Sequence, residues 1–113
     1  MSNDNKSLPP FKPATTKNTV NISYSSSSAS AAVAMPASAQ VGQSVRICNL
    51  ATDTVFVVFG VGTTTATTAN GIPILNGTVE IIRIPDDAGY TYFAAIPNSS
   101  VSGKVYFTVG EGN

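Results

Sequence analysis

Histidine and tryptophan are absent from this sequence of 113 residues, and cysteine occurs once, at Cys48. Without histidine, neither a Ser–His–Asp nor a Cys–His arrangement for nucleophilic catalysis can be assembled. A single cysteine excludes an internal disulfide, and the sequence contains no His/Cys cluster that would hold zinc. Two supports on which small domains often depend, disulfides and structural metals, are therefore missing.

Charged side chains are scarce, at 11% of the sequence, against roughly a quarter in an average soluble protein. Six lysines and arginines balance six aspartates and glutamates, so the net charge is zero. A neutral chain lacks the basic footprint that binds a phosphate backbone or an anionic membrane. The longest run of small apolar residues, 29–35, is far shorter than the roughly 20 residues of a spanning helix. We expect neither nucleic acid nor a membrane as a partner.

The best acidic pair is Asp86-Asp87, between Pro85 and Gly89. General acid–base catalysis needs carboxylates that face each other across a cleft, and calcium needs more oxygen ligands at fixed spacing. Adjacent aspartates in a tight turn supply neither, so we interpret them as a solvated turn, with a weak calcium site as the alternative. Lys104 has no motif around it that would make it the base for a serine. The sequence predicts a protein that is not an enzyme and needs no metal or cofactor.

From residue 41 onward the pattern is that of an all-β domain. Turn sequences separate five candidate strands, which are 44–49, 54–59, 78–84, 90–96 and 104–109. Asn76-Gly77 is the strongest two-residue turn signal, and 97–103 is interpreted as a longer polar loop. No stretch shows helical periodicity with caps. The sequence predicts a small antiparallel β-sandwich or barrel, jelly-roll-like, over residues 41–113.

The predicted strand 54–59 is apolar on both faces, because alternation places Val57 on one face and Phe56 and Val58 on the other. The uncharged, Thr-rich loop 60–71 follows it. A β region of about 70 residues seldom has a core that is sufficient by itself, and association is the remaining source of stability. We therefore predict a homo-oligomer, a dimer or trimer, with Phe56 and Val58 at the contact.

Residues 1–40 differ in composition and are predicted to be an extended N-terminal arm with a Ser/Ala-rich linker. The arm contains three prolines and two sizeable apolar side chains, and this candidate partner-binding set is Leu8, Pro9, Pro10, Phe11 and Pro13. It is predicted either to dock in a groove of a partner or to be a disordered leader. Alternation over 19–24 gives a possible short strand, and 29–39 is either a linker or a thin edge strand.

Cys48 lies in the predicted strand 44–49, where it shares a face with Ser44 and Arg46, opposite Val45 and Ile47. Its functional interpretation is a reactive thiol. No histidine or lysine lies close to it in sequence to activate that thiol. We expect Cys48 to be a small, half-buried side chain.

Five short motifs follow one another along the β region, and they are 54–60 (TVFVVFG), 65–68 (TATT), 72–80 (IPILNGTVE), 92–96 (YFAAI) and 105–112 (VYFTVGEG). Their order resembles that of small accessory structural proteins of tailed bacteriophages. The resemblance covers residues 41–113 and leaves the arm out. It implies a β-rich virion protein.

Among such proteins, a short chain with an N-terminal arm fits a capsid decoration, cement or staple protein on the surface of the phage head. Its partner is then the major capsid protein. The arm links neighbouring subunits of that protein by added strands and docked apolar anchors. The alternative is a receptor- or glycan-binding module of a tail or fibre. Exposed aromatic side chains near the loop 63–68 favour that alternative.

Overall fold

The computed structural model describes residues 10–14, 17–36, 39, 43–62, 64–85 and 89–111. Within these ranges the chain consists of strands, turns and loops, without a helix. The strands are β1 (Lys12–Pro13), β2 (Thr19–Ser27), β3 (Ala31–Ala34), β4 (Ser44–Asn49), β5 (Val55–Gly60), β6 (Ile72–Ile74), β7 (Val79–Arg83), β8 (Tyr92–Pro97) and β9 (Val101–Glu111). The prediction of an all-β chain is confirmed.

The strands form two antiparallel sheets. Sheet A has the order β2-β9-β4-β7, with β1 on the same edge of β9 as β2, and sheet B has the order β3-β8-β5-β6. The pairs β2–β9, β3–β8, β4–β7 and β5–β6 are nested along the chain, as if one long hairpin had been rolled up. This arrangement is that of a jelly roll, so the predicted jelly-roll-like sandwich is confirmed.

The core lies between the facing sides of the two sheets. Alternation along each strand turns Ile47 of sheet A and Val57 of sheet B into this space, where both are fully buried. The rings of Phe93 and Phe107 stack across it, with centroids 4.6 Å apart and planes 5° from parallel. Each buried aliphatic or aromatic side chain of this kind stabilises the fold by roughly 1.5–3 kcal/mol relative to its exposed state.

The predicted boundary at residue 40 does not divide the structure. The possible strand at 19–24 is present and extends to Ser27, and it pairs with β9 along most of its length. Ile22 and Tyr24 of this strand are buried in the core, and β3 adds an edge to sheet B. β2 pairs with the edge of β9 that β4 leaves free. Burial of the alternating apolar side chains of β2 stabilises this strand in the sandwich. Before β2, the described residues include β1, which pairs with the end of β9.

Three local features differ in how well the sequence predicts them. The run 97–103 is a loop only at 98–100, because Val101 is buried and begins β9. Strand β6 was not predicted, since a three-residue edge strand that contains Pro73 is too short for a period to be detected. The small-residue segment 29–39 contains the edge strand β3, one of its two interpretations.

Candidate interaction surfaces

The first candidate surface is the N-terminal segment that the sequence predicts as an anchor. Leu8 and Pro9 lie outside the described residues. Pro10 is exposed, Phe11 is half-buried, and Pro13 belongs to β1, which pairs with the end of β9. The described end of the arm is thus already an added strand on sheet A, which is the mode of contact that the sequence predicts for a partner.

Backbone hydrogen bonds mark the point where this segment leaves the sheet. The N–H of Ala14 donates to the carbonyl oxygen of Val109 at 3.0 Å, and the N–H of Val109 donates to the carbonyl oxygen of Asn18 at 2.9 Å. The side-chain amide of Asn18 donates to the carbonyl oxygen of Ala14 at 2.7 Å. Ala14 and Asn18 are therefore both at the same edge of β9.

A small pocket of about 150 Å³ opens beside β1. Its lining consists of Lys12, Pro13, Ala14, Gln43, Gly110 and Glu111. Gly110 has to be glycine here, because a Cβ would overlap the carbonyl oxygen of Lys12. Sites for small organic ligands usually enclose roughly 300–1,000 Å³, so this pocket is below the size of such a site.

The second candidate surface is the outer face of sheet B. Phe56 and Val58 point away from the core and pair in register with Ile96 and Ala94 of β8. Both are half-buried, and Ala94 is fully buried although it does not belong to the core cluster. The outward position of Phe56 and Val58 agrees with the sequence pattern. Their contact with a second copy is not addressed by a single chain and stays a prediction.

The Thr-rich loop between β5 and β6, described except for Thr63, crosses this outer face. The N–H of Ala66 donates to the hydroxyl of Ser30 at 2.9 Å, at the β3 edge of the sheet. The loop begins at Gly60 and returns at Gly71, where a Cβ would overlap Phe56. Because both ends join strands on the other side of β8, the loop has to pass over the sheet. The chain therefore covers part of its own apolar face.

Asn49 is the main polar group inside the sandwich and has no exposed surface. Its Nδ2 donates to the carbonyl oxygens of Asp53 at 3.0 Å and of Ile74 at 2.9 Å. Its Oδ1 accepts the N–H of Ala51 at 2.9 Å. This side chain satisfies its hydrogen-bonding groups while it joins the ends of β4 and β6 to the turn before β5.

The turn after β4 contains a carboxylate with local partners. The hydroxyl of Ser99 donates to Asp53 at 2.7 Å, and the N–H of Thr54 donates to the same carboxylate at 2.7 Å. These hydrogen bonds hold the pKa of Asp53 below its usual value. Asp53 has a structural part in closing the turn.

The described residues contain no group of three or more acidic, histidine or cysteine side chains placed to hold a metal ion. Asp86 and Asp87, the candidate weak calcium site, lie outside the described residues. The absence of a metal and of catalysis remain predictions.

Cys48 is half-buried on the outer face of sheet A, as predicted. The sequence could not show which side chains from other strands join it there. The register places Tyr106 of β9 on one side of Cys48 and Val79 of β7 on the other. These neighbours are more than 25 residues away in the chain, so only the strand order reveals them.

Comparison with models of protein families found no match, and neither did comparisons with curated proteins and with solved structures. In the part of the chain that the structure describes, no helix is long and apolar enough to cross a membrane.

Proposed function

We propose that this chain is a structural protein of a tailed-phage virion that decorates the assembled head and reinforces its shell. The jelly roll supports the proposal by analogy, because viral capsid proteins are a major class of proteins built on this fold. Lectin domains share the same fold, and for this reason fold alone does not choose between a shell protein and a binding module.

The single observation that carries the proposal is the strand β1 at the end of β9. The described chain joins sheet A at Lys12–Pro13, where only two residue pairs link β1 to β9. Pro10 and Phe11 precede it, on the side from which the rest of the arm arrives. A segment that is extended by its prolines and stays at a sheet edge is suited to run along a neighbouring subunit and add a strand there.

Reinforcement by such a protein depends on the number of copies. Each copy makes a modest contact through the arm and one face of the sandwich. Once one contact has formed, the next contact acts at high effective concentration, so that a repeating set holds the shell firmly. A low charge content suits this role, because identical copies packed side by side then avoid mutual repulsion.

The alternative, a receptor- or glycan-binding module, needs an aromatic platform beside the Thr-rich loop. Among the described residues, the large apolar side chains with the greatest exposure are aliphatic, and the one in this loop is Val61. The ring nearest the start of the loop in sequence, Phe59, packs on Tyr90 and Phe93 with centroids 6.1 and 5.9 Å apart. We therefore place shell decoration first.

The test uses particles from the organism that carries this sequence. It measures how many copies of the chain they contain and the temperature at which they release DNA. Density-purified particles should contain the chain at a copy number comparable with that of the shell subunit, measured by quantitative mass spectrometry. Particles that lack it should release DNA at lower temperature, and added purified chain should restore the higher temperature. Particles without the chain, or with unchanged rupture temperature after its removal, would overturn the proposal.

A further inference from the structure

The outer face of sheet A brings together residues that the sequence keeps far apart. Across the middle of the sheet, Cys48 is opposite Tyr106 on one side and Val79 on the other. In the next row, Arg46 is opposite Thr108 and Ile81. Residues that are directly opposite in antiparallel strands share a face, so these side chains project to the same side.

Apolar side chains occupy the centre of this face and its β7 half. Val79 is 41% exposed, while Cys48, Ile81 and Tyr106 are half-buried. Leu50 is 58% exposed and follows β4 directly, and its N–H donates to the carbonyl oxygen of Lys104 at 2.9 Å. The path of β4 therefore continues beside β9 for one more residue, which brings Leu50 to the end of the same apolar strip.

Cations surround this strip. Arg46, Arg83 and Lys104 are exposed. Each lies on the outer side of sheet A, because it is directly opposite an outward-facing residue, and these partners are Ile81, Ser44 and Ser23 respectively.

Among the described strand residues of this sheet, the carboxylates lie on the other side. Glu80 is opposite the core residue Ile47, and Glu111 follows the outward position of Gly110.

The face is held rigidly from below. Asn49, next to both Cys48 and Leu50, has its side-chain amide fixed by the hydrogen bonds to Asp53, Ala51 and Ile74. The adjacent Gly103 adopts a positive φ of 114°, where a Cβ would overlap the carbonyl oxygen of Leu50. A surface already fixed by the fold loses little conformational freedom when it binds a partner.

We infer that the outer face of sheet A is a docking surface for another protein, whose matching surface has an apolar centre and an acidic surround. Tyrosine and arginine are enriched among the energetically important residues of protein interfaces, and the buried centre of an interface is more apolar than the rest of the surface. Charge complementarity selects the partner, because a second copy stacked on this face would bring two faces of the same positive charge together. The inference rests on the proposed function, in which this partner is the assembled shell.

The test titrates full-length protein onto purified shells that lack it. Arg46→Glu and Leu50→Asn should each weaken binding by about tenfold or more, because the first reverses a complementary charge and the second removes apolar area from the contact. Added salt should weaken binding of the unmodified chain and have less effect on Arg46→Glu, since the cation acts through a screened charge interaction.

Two control variants make the same kinds of substitution at positions outside the outer face of sheet A. Val61→Asn removes an equally exposed aliphatic side chain, at 64% exposure, from the loop over sheet B. The double variant Thr65→Glu, Ala69→Glu changes the net charge as much as Arg46→Glu does, at exposed positions of that loop. Both should bind within about twofold of the unmodified chain, as surface changes outside an interface do.

The outcomes separate this inference from the proposed function. If the unmodified chain fails to bind shells, the proposed function falls and the inference falls with it. If it binds and Arg46→Glu binds equally well, only the inference is overturned. If Arg46→Glu instead changes the oligomeric mass of the free protein in light scattering, the face contacts a second copy, which also overturns the inference.

Discussion

The hydroxyl of Tyr24 in sheet A donates a hydrogen bond to the backbone carbonyl oxygen of Ala95 in sheet B, at 2.9 Å. The bond crosses the core, and Tyr24 itself is 5% exposed. A residue from the segment assigned to the arm thus fastens the two sheets together. This relationship explains why the region before residue 40 cannot be separated from the sandwich.

Removal of this hydroxyl should destabilise the fold. We expect Tyr24→Phe to lower the free energy of unfolding by about 1 kcal/mol, because one buried hydrogen bond is lost while the ring stays packed. Urea denaturation followed by circular dichroism measures the change. Tyr106→Phe, on the outer face of sheet A, is the control and should stay within about 0.5 kcal/mol of the unmodified chain. Equal stabilities of the two variants would contradict the assignment.

Stability should also depend on pH through Tyr24. Burial raises the pKa of Tyr24 from 10.0 to about 12. In the unfolded chain the phenol ionises near its ordinary pKa, while the folded state keeps it protonated, so the unfolded state binds fewer protons between these values. The contribution of Tyr24 is therefore complete below pH 10 and is lost as the pH rises towards 12.

The free energy of unfolding is compared between the unmodified chain and Tyr24→Phe across this pH range. The difference between them separates the ionisation of Tyr24 from that of the other tyrosines. The stability advantage of the unmodified chain should shrink as the pH rises. An advantage that stays constant as the pH rises from below 10.0 to about 12 would show that the phenol titrates alike in both states.

Asn49→Ala should be more damaging than Tyr24→Phe. It leaves the carbonyl oxygens of Asp53 and Ile74 and the N–H of Ala51 without their side-chain partner, and we expect a loss of about 3 kcal/mol in the free energy of unfolding. Asn70→Ala is the control, because the Oδ1 of Asn70 also accepts a backbone N–H, from Thr67 at 3.0 Å, but on the exposed surface. The control should lose less than about 1 kcal/mol. The prediction fails if both variants unfold at the same denaturant concentration.

The homo-oligomer remains a prediction. If Phe56 and Val58 form its contact, the double variant Phe56→Thr, Val58→Thr should shift a dimer or trimer towards monomer, because it removes apolar area from the outer face of sheet B. Light scattering at micromolar concentration reads the mass, and Val61→Thr serves as the control. An unmodified chain that is already monomeric would show that the Thr-rich loop covers this face well enough by itself.

Truncation of the arm separates binding from folding. Deletion of residues 2–13 removes β1, which forms only two residue pairs with β9. We expect the free energy of unfolding to change by less than about 1 kcal/mol, since none of the described residues 10–13 belongs to the buried core, while binding to shells weakens. Leu8→Ser with Phe11→Ser should reproduce the weaker binding at full length. Tight binding by the truncated chain would show that the arm is dispensable.

The alternation of apolar residues determined much of the secondary structure before any contact was known. Strand β4 occurs at Ser44–Asn49 as predicted, and β5 differs by one residue, because a period of two depends only on which side chains a strand can turn inward. The faces of Cys48 and Phe56 were likewise predictable. The fold class followed from the number of short strands and turns.

Tertiary structure alone decided which strands are neighbours. Strands β4 and β9 are far apart in the chain, and nothing local to either one specifies that Cys48 meets Tyr106. The same holds for β2, whose place in the core depends on the free edge of β9, and for the loop over Phe56. Pairing is set by the closing of two sheets around one core, a property of the whole chain. The fold class was therefore predictable from the sequence, whereas the strand pairing and the composition of the surfaces were not.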